Sequence, residues 1–280
     1  MANYDYDLGI IGGGAAGLTA AAGGAQFGAK TILIEKSDKL GGDCLHYGCV
    51  PSKTLIRTAG VWAQTKRAKE FGLPEIKLPP VDLGIVMDRV QGVIDTIQHH
   101  DSPERFCSLG AEVRFGNPVF ADDHAIDLDG SRISAKSWII ATGSSPTLPP
   151  VDGLADVTYW TNETVFSQRT LPGTLIVLGG GPIGLEMSQA FCRLGSKVII
   201  VEFMDQILGP EDADMAEIIK KRITHEGVVI HTNTKAVEAE AKNNGIQLTV
   251  GPAKGDGAIQ VIQADAILVA AGRKPNIEGL

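Results

Sequence analysis

One pattern occurs twice in this chain of 280 residues, and few folds accommodate it. Tyr6-Asp7-Leu8-Gly9-Ile10-Ile11 is a short β-rich run, followed by Gly12-Gly13-Gly14. An Ala-rich helix is expected from about Ala15 to Gly28, and Thr31-Ile32-Leu33-Ile34 is a second strand ending at Glu35. Leu175-Ile176-Val177-Leu178 repeats the first strand, Gly179-Gly180-Gly181-Pro182-Ile183-Gly184 repeats the turn, and a helix to about Leu194 leads to Val198-Ile199-Ile200-Val201 and Glu202. The spacing from the first glycine to the terminal acid is 23 residues in both copies. Each copy reads as a strand, turn, helix, strand unit. The repeat predicts two homologous nucleotide-binding domains in tandem.

Each glycine of G-x-G-x-x-G has a physical task. The first makes the turn, the second lets backbone approach a pyrophosphate, and the third lets helix and sheet pack closely. The helix start then offers free N–H groups and partial positive charge to phosphate. Alone, the motif is compatible with a mere tight turn; with both strands, the helix and the terminal acid it points to a dinucleotide. A carboxylate at the end of the second strand suits ribose hydroxyls. At Glu202 it would repel a 2′-phosphate, and the next basic residue is Lys220, so NAD is favoured over NADP.

Between the copies, helices are expected from about Pro51 to Glu70 and from about Leu83 to His99. Short strands follow at Glu112 to Phe115 and Ala125 to Leu128, then a buried run at Trp138-Ile139-Ile140. Pro146 to Pro150 reads as a link, and Leu171-Pro172-Gly173 as a second boundary. Val228 to His231, Gln247 to Val250 and Ala266 to Val269 read as later strands.

Of four cysteines, two lie close together in Gly41-Gly42-Asp43-Cys44-Leu45-His46-Tyr47-Gly48-Cys49-Val50-Pro51-Ser52-Lys53. Such a pair could be two core thiols or a weak metal site, although only His46 nearby could add a ligand, and no metal is expected. Redox chemistry is the stronger reading. The pair follows directly on a nucleotide-binding unit, and glycines flank it. A helix start and Lys53 should stabilise a thiolate and lower its pKa. Cys107 and Cys192 lack this company and read as core or surface thiols.

A net charge of −8 argues against nucleic acid or an anionic membrane as the main partner. No run of 18 apolar residues occurs, so no spanning helix is expected. Asp5 and Asp7 stand where a secretory signal would be basic, so a cytoplasmic location is the default expectation.

These residues resemble the pyridine nucleotide-disulfide oxidoreductase family, which includes dihydrolipoamide dehydrogenase, glutathione reductase and mercuric reductase. The run Gly41 to Lys53 carries the resemblance most specifically. Its Val-Pro-Ser-Lys ending is more like the dihydrolipoamide dehydrogenase and mercuric reductase branches. Ala141-Thr142-Gly143 and Ala271-Gly272-Arg273-Lys274-Pro275-Asn276 complete the order. The resemblance implies an α/β fold of two tandem Rossmann-like domains: 1–150 for FAD with the redox helix, 151–272 for NAD, and 273–280 returning to the first.

FAD is implied at Gly12, Gly14, Ala15, Ala16, Gly17, Glu35, Lys36, Gly42, Asp43, Lys53, Gly116, Ala141, Thr142 and Gly143. The nicotinamide nucleotide is implied at Gly179, Gly181, Pro182, Ile183, Gly184, Glu202 and Gly272. The catalytic set implied is Cys44, Cys49, Lys53 and Glu186. Cys49 would be the thiol against the flavin, forming a charge-transfer pair when reduced. Cys44 would be the interchange thiol, and Lys53 would pair with Glu186 where hydride passes. Electrons would run between NAD(H), FAD, Cys49, Cys44 and a small or protein-bound disulfide or dithiol substrate.

His46-Tyr47 stands where dihydrolipoamide dehydrogenase has Asn-Val, which weakens a lipoamide assignment. Packing or shaping of a substrate channel is favoured for the two residues over catalysis. The family continues beyond residue 280 with a second flavin segment and a dimerisation domain carrying a His-Glu acid/base pair. The sequence is therefore expected to be a piece of a homodimeric protein and, alone, to turn over inefficiently. Two other readings stay open: a mercuric-reductase-like metal-ion reductase, and a non-catalytic module whose disulfide senses NADH.

Overall fold

In the computed structural model, residues 3–242, 245–255 and 257–280 are described. The chain divides into two compact units, Met1–Pro51 with Gln91–Ser145 and Lys274–Leu280, and Ser52–Val90 with Pro146–Arg273.

The first unit begins with β1 (Tyr6–Ile11), α1 (Ala15–Gln26), β2 (Thr31–Glu35) and the short α2 (Gly42–His46). Two long helices, α3 (Cys49–Lys66) and α4 (Leu83–Gln98), are each shared between the units along the chain. Then come α5 (Pro103–Ser108), β3 (Ala111–Phe115), β4 (Pro118–Asp122), β5 (Ala125–Leu128), β6 (Ser131–Ile140) and β7 (Ser144–Pro146). Six strands form one sheet in the order β3-β2-β1-β6-β5-β4. β3, β2, β1 and β6 run parallel; β5 and β4 are an antiparallel extension. All five residues of β2 are buried, as befits a parallel strand covered on both faces. Ile10, Leu18, Leu33, Leu40 and Phe106 pack on one side of the sheet, and Ile11, Ile32, Ile34, Ile126 and Ile133 on the other.

The second unit contains β8 (Tyr159–Trp160), β9 (Thr174–Leu178), α6 (Pro182–Leu194), β10 (Lys197–Val201), α7 (Ala213–His225) and β11 (Val229–His231). It then adds β12 (Thr234–Lys242), β13 (Gly245–Pro252), β14 (Gln260–Ala264) and β15 (Ala266–Val269). A fully parallel sheet runs β11-β10-β9-β15-β8. A separate antiparallel sheet of β12, β13 and β14 packs Ala239, Leu248 and Val250 against Ile176, Val201 and Val269. The molecule thus has the α/β architecture of two Rossmann-like units. Among the described residues, no helix is long and apolar enough to cross a membrane.

The repeat seen in the sequence extends to individual atoms. Gly12 N–H donates to Ile34 O at 2.8 Å and Gly179 N–H to Val201 O at 2.9 Å. Gly12 and Gly179 have φ of 108° and 110°, which favours glycine in both. A Cβ on Gly17 would lie 1.8 Å from Gly12 O, and one on Gly184 would lie 2.1 Å from Gly179 O. Each helix can sit this close to its strand only because that position has no side chain.

Three expectations need correction. Helix α3 starts at Cys49 and ends at Lys66, earlier at both ends than expected. Pro51 falls within the first turn, where its missing N–H removes no helical bond. Trp138-Ile139-Ile140 is not a buried run. Trp138 is half-buried, and Ile139 and Ile140 are 38% and 55% exposed. Its apolar character comes from Trp138 lying across Gly9 and edge-on to Phe120, where it ties β6 to the antiparallel extension. Finally, β4, β12 and β14 are strands that the apolar pattern does not announce.

Gly17→Ala forces Cβ onto a backbone oxygen and should destabilise the first unit by about 3 kcal/mol or more, at the upper end of overpacking costs. Gly23→Ala, on the same helix with nothing within 4 Å of the new methyl, should be neutral or stabilising by up to about 1 kcal/mol. Urea unfolding of the two variants checks the contrast, and equal midpoints would contradict it.

Candidate active site

In each unit the glycine turn meets the loop that follows the neighbouring parallel strand. Ala141 N–H donates to Ile11 O at 2.7 Å, and Ala270 N–H to Leu178 O at 2.8 Å. These crevices lie at the carboxyl ends of β1/β6 and β9/β15. There the strand order reverses, the usual ligand position in an open α/β sheet.

The acids at the strand ends brace the turns. In the first unit, Glu35 is buried; its Oε2 accepts from Gly13 N at 2.6 Å and its Oε1 from Ser37 N at 2.7 Å. In the second, Glu202 Oε2 accepts from Gly180 N at 2.5 Å and Oε1 from Met204 N at 2.6 Å. Each oxygen keeps a further acceptor site, and each carboxylate is oriented before any ligand arrives.

The second glycine of each motif is the most informative. Gly14 has φ −85° and Gly181 φ −77°, values any residue adopts. A Cβ at Gly14 would touch only Gly42 Cα, at 3.7 Å, and one at Gly181 would meet nothing within 4 Å. Neither backbone shape nor protein neighbours require glycine there. An added methyl would instead fill the space above the helix start. Both helices lack a side-chain N-cap and an acid in their first turn, and Ala15 and Ala16 are exposed. This fits a pyrophosphate against the helix N-terminus in each unit.

The other first-unit residues converge on the same crevice. Gly116 N–H donates to Glu35 O at 2.9 Å, and Lys36 is exposed beside it in sequence. Thr142 Oγ1 donates to Asn276 O at 2.5 Å, Asn276 Nδ2 to Thr142 O at 3.0 Å, and Asn276 N to Gly143 O at 3.0 Å. Asn276 therefore latches the 142–143 loop.

Cys44 and Cys49 sit beside the first glycine turn. Gly41 N–H donates to Gly13 O at 2.8 Å, and a Cβ on Gly42 would lie 2.6 Å from Gly14 Cα. Gly41 and Gly42, with φ of 112° and 57°, bend the chain into α2, which carries the exposed Asp43 and the half-buried Cys44. Cys49, exposed, is the first residue of α3. They are two thiols rather than a disulfide, and their side chains hydrogen-bond to each other. Burial, then the hydrogen bond and charge of Cys49, push the Cys44 thiol up to about 11. This overturns the expectation of a lowered pKa at Cys44. Although α2 starts only two residues before it, desolvation and the neighbouring sulfur outweigh that favourable end.

In the second unit, a cleft of about 1030 Å³ opens beside Gly179, Gly181, Pro182, Ile183, Glu202 and Gly272. Lys53 Nζ lies 2.6 Å from both carboxylate oxygens of Glu186, an ion pair joining α3 to α6. Its partners are 61% and 40% exposed, so it adds little stability.

The family model described as pyridine nucleotide-disulphide oxidoreductase matches residues 6–280. The chain belongs to this family.

Its relatives include a mercuric reductase of Lysinibacillus sphaericus, 32% identical over 99% of this chain and 50% of the relative. A dihydrolipoyl dehydrogenase of Thermus scotoductus is 35% identical over 98% and 59%. Among solved structures, the HOCl-induced flavoprotein disulfide reductase RclA from Escherichia coli has 28% identity and a TM-score of 0.81, covering 98% of this chain and 58% of that one. The chain spans about half to three-fifths of the length of these relatives.

Sequence reasoning missed several residues at these pyridine nucleotide-disulphide oxidoreductase sites. Asn276 stands in the sequence as the last residue of a motif, and its latch depends on contacts more than 130 residues apart. Phe203, Met204, Lys235 and Arg273 line the cleft. Phe203 and Met204 follow Glu202 directly, so two apolar residues after the acid were a usable signal. Lys235 comes from a strand that was not foreseen.

With its pKa near 11, Cys44 in the reduced chain should alkylate about tenfold faster per pH unit, with a plateau only near pH 11. Because the folded value lies above the ordinary 9.0, the stabilisation from the protonated thiol is complete below pH 9 and is lost between pH 9 and 11. Iodoacetamide rates by peptide mass spectrometry test this; a plateau below pH 9 would refute it.

Proposed function

We propose that this chain carries the nucleotide-binding and dithiol machinery of an FAD- and NAD-dependent disulfide oxidoreductase. It passes electrons between NAD(H), FAD and the Cys44–Cys49 pair, to or from a thiol or disulfide substrate. The observation that carries the reading is the paired sulfurs on a loop hydrogen-bonded to the first glycine turn.

The first crevice, within residues 1–150, is the flavin site. Gly12, Gly14 and Gly17 shape it; the N–H groups of Ala15 and Ala16 would hold the pyrophosphate, and Glu35 would hold the ribose. Bound FAD supplies a two-electron relay between reduced nicotinamide and the dithiol. The second crevice, within 151–272, takes NAD. The Glu202 carboxylate is already fixed by two backbone N–H groups, so it suits a ribose diol and opposes a 2′-phosphate. Lys53 and Glu186 hold one another in position within the second unit.

Cys44 and Cys49 close to a disulfide by losing two electrons and two protons. In the reductive direction, NADH and one proton convert substrate disulfide to dithiol. The Cys44 thiolate attacks one substrate sulfur and releases the other as a thiol; Cys49 then attacks the Cys44 sulfur of the mixed disulfide, releasing the second substrate thiol and closing the Cys44–Cys49 disulfide. A dithiol dehydrogenase runs the same steps backwards. With Cys44 held protonated near neutral pH, exchange requires a base to take its proton. The family resemblance assigns that base to a His-Glu pair beyond this sequence, supplied across a homodimer.

The absorbance spectrum of the chain equilibrated with FAD tests the first crevice and the pair together. One equivalent of dithiol should produce a long-wavelength band that Cys49→Ser abolishes, while Cys44→Ser gives a similar band without added dithiol. A spectrum of free flavin throughout would defeat the proposal.

For the second crevice, fluorescence titration should show NADH binding at least about tenfold tighter than NADPH, or ~1.4 kcal/mol. Glu202→Gln should narrow that gap, and a preference for NADPH would reverse the assignment.

A further inference from the structure

The peptide unit joining Leu40 to Gly41 is gripped at both ends. Its N–H reaches the first glycine turn, donating to Gly13 O at 2.8 Å. Its C=O faces the other way and lies 2.9 Å from His46 Nε2 and 3.1 Å from Gln98 Nε2. A carbonyl oxygen only accepts, so His46 Nε2 carries a hydrogen. Gln98 also donates to Asp101 O at 3.0 Å, which ties the carbonyl to the end of α4. The ring of Tyr47 leans on that of His46, with centroids 5.9 Å apart. Burial pushes the Asp101 carboxyl up, opposed by the charges of Arg105, His100 and His46.

Helix α2 has five residues and no side-chain N-cap, so it cannot persist by its own hydrogen bonds. His46 at its end reaches back to the carbonyl just before its start and closes the turn that holds Cys44. The donor length matters. Asn, which the dihydrolipoamide dehydrogenase pattern has here, is shorter than the reach of histidine Nε2, whereas Gln matches it.

We propose that His46 is a positioning residue for the redox pair, fixing the Leu40–Gly41 peptide so that Cys44 and the Gly41–Gly42 turn are held against the first glycine turn. The link to flavin binding rests on the function proposed above; the link to Cys44 does not.

The test uses the reduced 280-residue chain and reads Cys44 alkylation by iodoacetamide alongside FAD affinity by absorbance titration. His46→Leu should alkylate Cys44 about fivefold faster and bind FAD about fivefold more weakly, as expected for loss of one hydrogen bond. His46→Gln should return both to within about twofold of the parent. Parental alkylation in His46→Leu, or His46→Gln behaving like His46→Leu, would overturn the proposal and leave His46 as filling only. Should His46→Leu fail to fold, Gln98→Leu removes the other donor to the same carbonyl. Faster alkylation of Cys44 in that variant supports the peptide as the control point, and an unchanged rate overturns it. Alkylation shifts as stated in a chain that takes up no FAD would sink the flavin assignment and sustain the role of His46.

Discussion

Both units depend on one contact: a strand-end carboxylate accepting the N–H of the middle glycine in the turn. Glu35 does this for Gly13, and Glu202 for Gly180. A charge-assisted bond of this kind contributes about 1.5–3 kcal/mol when sheltered. More important is what it fixes. The turn must run almost against the following helix, because Gly17 and Gly184 leave no gap between helix and turn. With the acid holding one side and the helix the other, the free N–H groups of the helix start are aimed at a single point. An anion placed there is met without further reorganisation.

The copies diverge in what is laid over the turn. In both, a later N–H reaches the carbonyl of the middle glycine, Gly41 to Gly13 and Leu208 to Gly180, at 2.8 and 2.9 Å. Gly41 and Gly42, both with positive φ, drop the chain onto Gly14 and start a helix bearing a cysteine. After Leu208 the chain passes through Gly209 and Pro210 at the rim of an open cleft. One framework therefore yields a crevice overlaid by the loop that carries Cys44 and a crevice bordered by an open cleft.

How much the sequence discloses follows from the range of each interaction. The two strand–turn–helix units and their acids are legible because the contacts that define them, from turn to helix and from turn to acid, fall within about two dozen residues. The antiparallel sheet of the second unit is not. β12 reads Thr-Lys-Ala-Val-Glu-Ala-Glu-Ala-Lys, largely polar, and owes its strand to pairing with β13. Trp138-Ile139-Ile140 misleads for the opposite reason: an apolar run records a need for contact without saying what supplies it. At the candidate site, residue identities are legible but electrostatics are not. The helix start near Cys44 is visible in sequence, whereas its burial and the adjoining sulfur of Cys49 are tertiary facts, and they decide the sign of its shift.

That sign determines how the dithiol can work. A thiol near 11 is ionised at neutral pH in roughly one molecule in ten thousand, and only the thiolate attacks a disulfide. Cys44, the more buried of the two cysteines, is therefore held largely protonated by default. Reactivity at Cys44 then requires a base to take its proton. Closing the pair to a disulfide removes both protons, and with them the hydrogen bond that raised the pKa. The restraint thus belongs to the reduced state alone.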